Sequence, residues 1–342
     1  MLDPKTRLVP RSTKAALVAG IAAIGALAFG AVALTPTPTR AAGDKVVVGL
    51  VTKTEVNPFF VKMRQAATAE AKAKGVELIA RAGKFDGDNE GQVAAVESLI
   101  SAGAKGILIT PNNSTGMLDV IRKARAAGVL VVALDTATDP ADAVDATFAT
   151  DNFQAGVQQG EYARKAIGSK QPRLAMLDGT PGGTVDTFRH NGFLKGFGIQ
   201  EGDPAIVGKQ ITHGAMDQGQ TGMENLLTAH PDINVVYTVN EPAAEGAYAA
   251  IKAAGKQNNI TLTSIDGGCL GVKYVKAHQI AATVMQFPLK MAKEGVDAVV
   301  EYAKTGKKPS GFINTGSELI TDKPMSGLPS KDSKWGLENC WG

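Results

Sequence analysis

Cysteine and aromatic residues are scarce in this chain. Only two of its 342 residues are cysteine, and Phe, Trp and Tyr together make up 5%. So few cysteines exclude a disulfide-dense miniprotein. The four histidines, His190, His213, His230 and His278, show no metal-ligand spacing. The glycine period of collagen and the heptads of a coiled coil are missing, as are the repeated apolar stretches of a multispanning membrane protein. A strong charge of one sign is missing too. The chain has 36 bases and 33 acids; five of those bases and one acid precede residue 43, so the remainder carries −1. A near-neutral body has no general attraction for phosphate backbones, which excludes nucleic acid as a partner.

What is present is the composition of a soluble globular chain, 44% hydrophobic and 20% charged, with 39 glycines. The length suits two domains. The first forty residues differ from the rest. Lys5, Arg7, Arg11 and Lys14 lead into an apolar run over residues 15–34, followed by Thr-Pro repeats and the small residues Ala41 and Ala42. This is the pattern of a secretory signal peptide over residues 1–42, cleaved after Ala41 or Ala42. The alternative is an uncleaved anchor, because twenty apolar residues can just span a bilayer. No cysteine stands at the cleavage point, so a lipid anchor there is excluded. The expected location is periplasmic or extracytoplasmic. Outside the cytoplasm Cys269 and Cys340 would tend to pair; two separate thiols are the other reading of the residues alone.

From residue 45 the chain alternates. Short runs rich in Val and Ile fall at 46–51, 106–110, 129–134, 174–177, 205–211, 234–239, 261–265 and 280–285. Longer segments with helical spacing lie between them, such as 90–102 with Val93, Val96, Leu99 and Ile100 on one face. Several end at glycine just before the next strand, the usual helix stop. Strand–helix alternation predicts an α/β protein with parallel sheets covered on both faces. There are too many strands for one open sheet, so two doubly wound units are expected, with a boundary near Thr150-Asp151-Asn152.

In such sheets ligands sit beyond the carboxyl ends of the strands. The residues found there are Lys53, Asn57, Phe59 and Phe60, then Asp135, then Arg189, Asn240, Asp266 and Gln286. Carboxylates, amides and a guanidinium can each bridge neighbouring hydroxyls, and aromatic faces suit the C–H faces of a sugar ring. Each residue also has a plainer role. Asn57 before Pro58 is a helix cap, Phe59 and Phe60 are core residues, Asp135 and Asp266 cap turns, Arg189 pairs with Asp186 on a helix face, and Asn240 starts a helix.

The strings Lys53-Thr54-Glu55-Val56-Asn57-Pro58-Phe59-Phe60, Leu134-Asp135, Arg189-His190-Asn191-Gly192-Phe193, Val239-Asn240-Glu241, Ile265-Asp266-Gly267 and Gln286-Phe287-Pro288 resemble the ribose-type periplasmic sugar-binding proteins of bacterial ABC transporters. The order is kept from about residue 45 to about residue 320. The stretch 80–90, Asp266-Gly267-Gly268-Cys269 and the ending Cys340-Trp341-Gly342 are most similar to fructose-binding members. The resemblance implies the type I periplasmic-binding-protein fold, with two lobes joined by three hinge crossings. The first lobe would be 45–150 plus 287–311 and the second 151–286 plus 312–342. It implies that the nine residues named above hold a monosaccharide, fructose favoured, with no cofactor, and that the chain works as a monomer delivering sugar to a membrane permease. It also places both cysteines in the second lobe, in favour of a bridge. Two positions depart from the ribose-binding pattern. Thr136 stands where those relatives have Arg after the Asp, and His213-Gly214-Ala215-Met216-Asp217 lacks their aromatic residue.

Other classes lack their signatures. After the first strand comes no glycine fingerprint of a dinucleotide enzyme, and the loop Gly179-Thr180-Pro181-Gly182-Gly183-Thr184 has no Lys-Ser/Thr for phosphate, so it reads as a turn between elements. There is no nucleophile elbow. A sugar-responsive repressor would need an N-terminal helix-turn-helix where this chain has the export pattern. A sensor that hands its sugar-bound form to a membrane receptor remains the alternative to transport.

Overall fold

The computed structural model describes residues 45–342; the expected signal segment, 1–42, lies outside the described residues. In the first half, strands β1 Val47–Thr52, β2 Glu77–Ala82, β3 Gly106–Ile109, β4 Leu130–Leu134 and β5 Ala146–Ala149 alternate with helices α1 Pro58–Lys74, α2 Asn89–Ser101 and α3 Leu118–Ala126. The second half repeats the plan. It has strands β6 Leu174–Asp178, β7 Ile206–Ile211, β8 Val235–Thr238, β9 Thr261–Asp266 and β10 Ala282–Met285, with helices α4 Asn152–Ala166, α5 Thr184–Phe197, α6 Met216–Ala229, α7 Glu241–Ala253 and α8 Cys269–Lys276. Helix α9 Pro288–Thr305, strands β11 Gly311–Asn314 and β12 Glu318–Ile320 and helix α10 Ser333–Asn339 complete the chain.

The strands form two six-stranded sheets, ordered β11-β5-β4-β3-β1-β2 and β12-β10-β9-β8-β6-β7. Neighbours are parallel except β12, which runs antiparallel to β10. Period-two alternation feeds a core on each face of each sheet. Val48 and Leu50 of β1 pack with Phe59 and Met63 of α1 and Met291 and Val296 of α9. Val51 turns to the opposite face, against Val96 and Leu99 of α2 and Ile121 of α3. In the second sheet Leu174 and Met176 meet Phe193 and Phe197 of α5, while Ala175 and Leu177 meet Met223 of α6 and Ile251 of α7. Two doubly wound parallel-sheet lobes are thus present, each with its own core.

The chain passes between the lobes three times. The first crossing separates β5 from α4, whose cap is Asp151; its side chain accepts from the Gln154 N–H at 3.0 Å. The second lies between β10 and α9. The third falls at 315–317 and corrects the expected border after residue 311. Gly311–Asn314 pairs with β5 in register Gly311↔Ala146 to Asn314↔Ala149, so this strand belongs to the first lobe. The segment Gly-Phe-Ile-Asn is too short and too mixed to stand out as an edge strand. No helix among the described residues is long and apolar enough to cross a membrane.

Candidate functional site

The sheets face each other across a cleft, and strand ends from both supply its walls. A cavity of about 40 Å³ lies there, lined by Lys53, Asn57, Phe59, Phe60, Asp135, Arg189, Asn240, Asp266 and Gln286, together with Asp86, Val185, Asp186, Gly214 and Val239. All nine residues singled out in the sequence meet at this one place. A wider groove of about 820 Å³ adjoins it and shares Asn57, Asp86 and Gly214. Residues of both lobes line the smaller cavity, so its walls stand on either side of one small enclosed space.

Arg189 is the hub. It lies on α5, 3% exposed, and α5 runs against α4 at unusually short range. A methyl group on Gly156 would collide with the Arg189 carbonyl, and one on Gly160 with that of Phe193. Close approach at these glycines fixes where the guanidinium emerges. Its Nε donates to Asn152 Oδ1 and its NH1 to the Val239 carbonyl, both at 2.8 Å. That leaves it 4.0 Å from Asp135 Oδ1 of the first lobe and 3.8 Å from Asp266 Oδ1 of the second. These distances are ionic attractions beyond hydrogen-bond length. The plainer alternative, a surface pair of Arg189 with Asp186, does not occur among the described residues; the guanidinium turns inward to carboxylates at strand ends, where low dielectric strengthens the attraction.

Asp135 and Asp266 close β4 and β9, and both are non-glycine residues at positive φ, +62° and +149°. Such backbone costs about 1–3 kcal/mol and persists where its surroundings hold it. Asp135 Oδ2 accepts from Thr136 Oγ1 at 2.9 Å, so Thr136 spends its hydroxyl on the neighbouring carboxylate. Asp266 Oδ1 accepts from Gln286 Nε2 at 2.8 Å. Asn57 and Asn240 combine their plain roles with cavity lining. Asn57 caps α1, accepting from the Phe59 N–H at 3.0 Å, and Asn240 caps α7, accepting from the Ala243 N–H at 3.1 Å. Phe59 and Phe60 are core residues as well as wall. Phe59 packs edge-on to Trp341 with centroids 5.5 Å apart.

The C-terminal tail supports this wall from behind. Cys269 and Cys340 form a disulfide, with Cα atoms 5.0 Å apart. Beside it Trp341 Nε1 donates to the backbone carbonyls of Asp266, at 3.2 Å, and Gln286, at 2.9 Å. The lobes also touch directly. The Thr184 N–H donates to Ser114 Oγ at 3.0 Å, Thr184 Oγ1 to the Ala137 carbonyl at 2.7 Å, and Asn152 Nδ2 to the Asp135 carbonyl at 3.2 Å.

Burial dominates the electrostatics. It pushes the Asp266 and Asp186 carboxyls up to about 6, against the pull of Arg189 on the first and Lys53 on the second. Asp135 is raised by burial too, with Arg189 and Lys53 opposing. For Lys53 burial, and to a lesser degree Arg189, disfavours the charge, but Asp86, Asp186 and Asp135 outweigh them and hold the ammonium above its ordinary value. Four acceptor oxygens lining the cavity, on Asp86, Asp135, Asp186 and Gln286, are buried without a hydrogen-bond donor among the described residues. Buried acceptors left so are uncommon and unfavourable.

The sequence does not single out Asp86, and it offers Asp186 only as a helix-face partner of Arg189. Asp86 follows β2, whose Glu-Leu-Ile-Ala-Arg-Ala sequence lacks an apolar run. Asp186 sits one turn before Arg189 on the same helix, a spacing that could have pointed to it.

Comparison with known proteins agrees with this geometry. Residues 48–308 match the family described as periplasmic binding protein domain. The chain is similar to the ribose import binding protein RbsB of Bacillus subtilis (strain 168), 32% identical over 279 residues that cover 81% of this chain and 87% of that one. It is similar to a solved ABC transporter periplasmic solute binding protein from Actinobacillus succinogenes 130z with bound D-allose. That match has TM-score 0.73 and 29% identity, covering 81% of this chain and 98% of that one. A solved galactofuranose binding protein matches with TM-score 0.76 and 28% identity, over 86% and 97% of the two chains. The two-lobed cleft and the matched span together show that the chain belongs to the periplasmic binding protein domain family, a family of binding proteins rather than enzymes.

Proposed function

We propose that this chain captures one neutral monosaccharide between its lobes and delivers it to the permease of an ABC importer, working as a monomer outside the cytoplasm once residues 1–42 are removed. The observation that carries the reading is the pair of buried acceptors Asp135 Oδ1 and Gln286 Oε1, one from each lobe's strand ends, facing a shared cavity without donors among the described residues. Hydroxyl groups supply such donors, and only with the jaws closed can one ring reach both. Arg189 and Lys53 donate in return, and the faces of Phe59 and Phe60 cover the ring's C–H surface. The relatives named above support sugars as a class.

Fructose leads among them. The 80–90 stretch and the ending Cys340-Trp341-Gly342 support it, and Thr136 and the stretch 213–217, where ribose-binding relatives carry Arg and an aromatic residue, speak against ribose. A thermal-shift panel of monosaccharides tests this. At 100 times its dissociation constant a ligand adds about 2.7 kcal/mol, or about 5 °C for a chain of this size. Fructose is expected to give the largest shift; a larger one from ribose, allose or galactofuranose would replace it.

Affinity should depend on pH. Asp186 and Asp266, with carboxyls at about 6, are ionised acceptors at pH 7.5 and mostly protonated at pH 5, beside Asp86, Asp135, Lys53 and Arg189. Calorimetry is expected to show affinity at least about fivefold weaker at pH 5; equal affinities at both values would contradict this assignment. The unliganded fold behaves oppositely. A carboxyl raised above its unfolded value contributes stability that is full below about 4 and lost as pH rises through about 6.

A further inference from the structure

Asp86 and Asp186 both line the cavity. They come from different lobes, Asp86 from the loop between β2 and α2 and Asp186 from the first turn of α5. Asp86 Oδ1 and Asp186 Oδ2 are both buried without a donor among the described residues. Lys53 Nζ stands 3.9 Å from Asp86 Oδ1, beyond hydrogen-bond length. Asp186 is seated by the glycine-rich loop that reads in the sequence as a mere turn. A methyl group on Gly179 would collide with Asp186 Oδ1, and one on Gly183 would press on Oδ2 at 2.6 Å. The loop therefore holds a carboxylate against the cavity.

The charge of the wall follows. Asp86, Asp135, Asp186 and Asp266 face Lys53 and Arg189, an excess of two negative charges when all are ionised. An incoming phosphate or carboxylate meets that excess where water is thin and screening weak, and it brings more acceptors to oxygens that already lack donors. Each hydroxyl donates its single proton to one orphan oxygen, so two neighbouring hydroxyls satisfy both carboxylates, and either can accept from Lys53.

We propose that Asp86 and Asp186 read neighbouring hydroxyl groups of the ligand where they line the cavity and turn away sugars that carry phosphate or carboxylate there. This rests on the sugar-binding reading and narrows it to uncharged sugars.

Titration calorimetry of the purified protein tests it, with fructose, or the neutral hexose that the panel ranks first, and the 6-phosphate of the same sugar. The wild type is expected to bind the neutral sugar at least 100-fold more tightly than the phosphate ester. Asp86→Asn and Asp186→Asn, which keep side-chain shape, are each expected to weaken the neutral sugar about tenfold. The double variant should bring the ester to within about tenfold of the neutral sugar. Exclusion by bulk alone predicts that the Asn variants leave the discrimination unchanged, and that result would overturn the proposal. So would an ester bound as tightly as the neutral sugar by the wild type, or neutral-sugar affinity within twofold of wild type in both single variants. If the wild type binds no neutral sugar at all, the sugar-binding reading falls and this proposal with it, a result distinct from the others.

Discussion

Arg189→Ala is expected to lower sugar affinity at least about 100-fold, ~3 kcal/mol. The guanidinium is 3% exposed and serves both lobes, lying 4.0 Å from Asp135 and 3.8 Å from Asp266. Truncation removes the ligand's strongest donor. It also leaves two buried carboxylates without their cation, so each repels the other and takes up a proton more readily. The charge-conserving Arg189→Lys separates charge from geometry. An ammonium keeps the ionic attraction but cannot reach Asn152, Val239 and a ligand hydroxyl from one planar fork. Lysine should therefore recover only part of the loss. Affinity within about threefold of wild type in the alanine variant, measured by calorimetry on folded protein, would remove Arg189 from the site.

Removing the disulfide should act on stability more than on recognition. Cys269 and Cys340 are 71 residues apart, and a bridge closing a loop of that order stabilises by about 2–4 kcal/mol. The double variant Cys269→Ser with Cys340→Ser is expected to melt about 4–7 °C below wild type. A smaller loss of affinity should accompany it. The tail it frees carries Trp341, whose indole N–H holds the carbonyls of Asp266 and Gln286. Coincident melting of the double variant and wild type would show that Trp341 and its neighbours hold the tail unaided.

The residues that could be read from the sequence were those marked by a strong local pattern. Runs such as Leu130–Leu134 and Val235–Thr238 are buried on both faces, so they are continuously apolar and visible. Because ligand-facing groups in this architecture follow such strands, Asp135 and Asp266 could be located with their strands. Two of the edge strands, β2 and β11, carry no such run. β2 is mostly part-exposed, with Glu77 and Arg81 at the surface, and β11 is exposed along most of its length. That is why Asp86, which follows β2, was passed over, and why the third crossing was placed inside β11. The 179–183 loop is the turn between β6 and α5 that the sequence suggests, but its second task is not visible there. Its glycines are required by a carboxylate that packs against them, a tertiary contact with no local signature. The support that Trp341 gives to Asp266 and Gln286 joins residues 75 and 55 positions apart, and no pattern of spacing announces it.

The measurement that bears most directly on the two-lobed trap is isothermal titration of the purified protein with neutral monosaccharides. One sugar per chain, with micromolar affinity or about −8 kcal/mol, is the predicted result. Absence of binding heat for every neutral monosaccharide and polyol, at temperatures chosen so that an enthalpy near zero is not mistaken for silence, would contradict it.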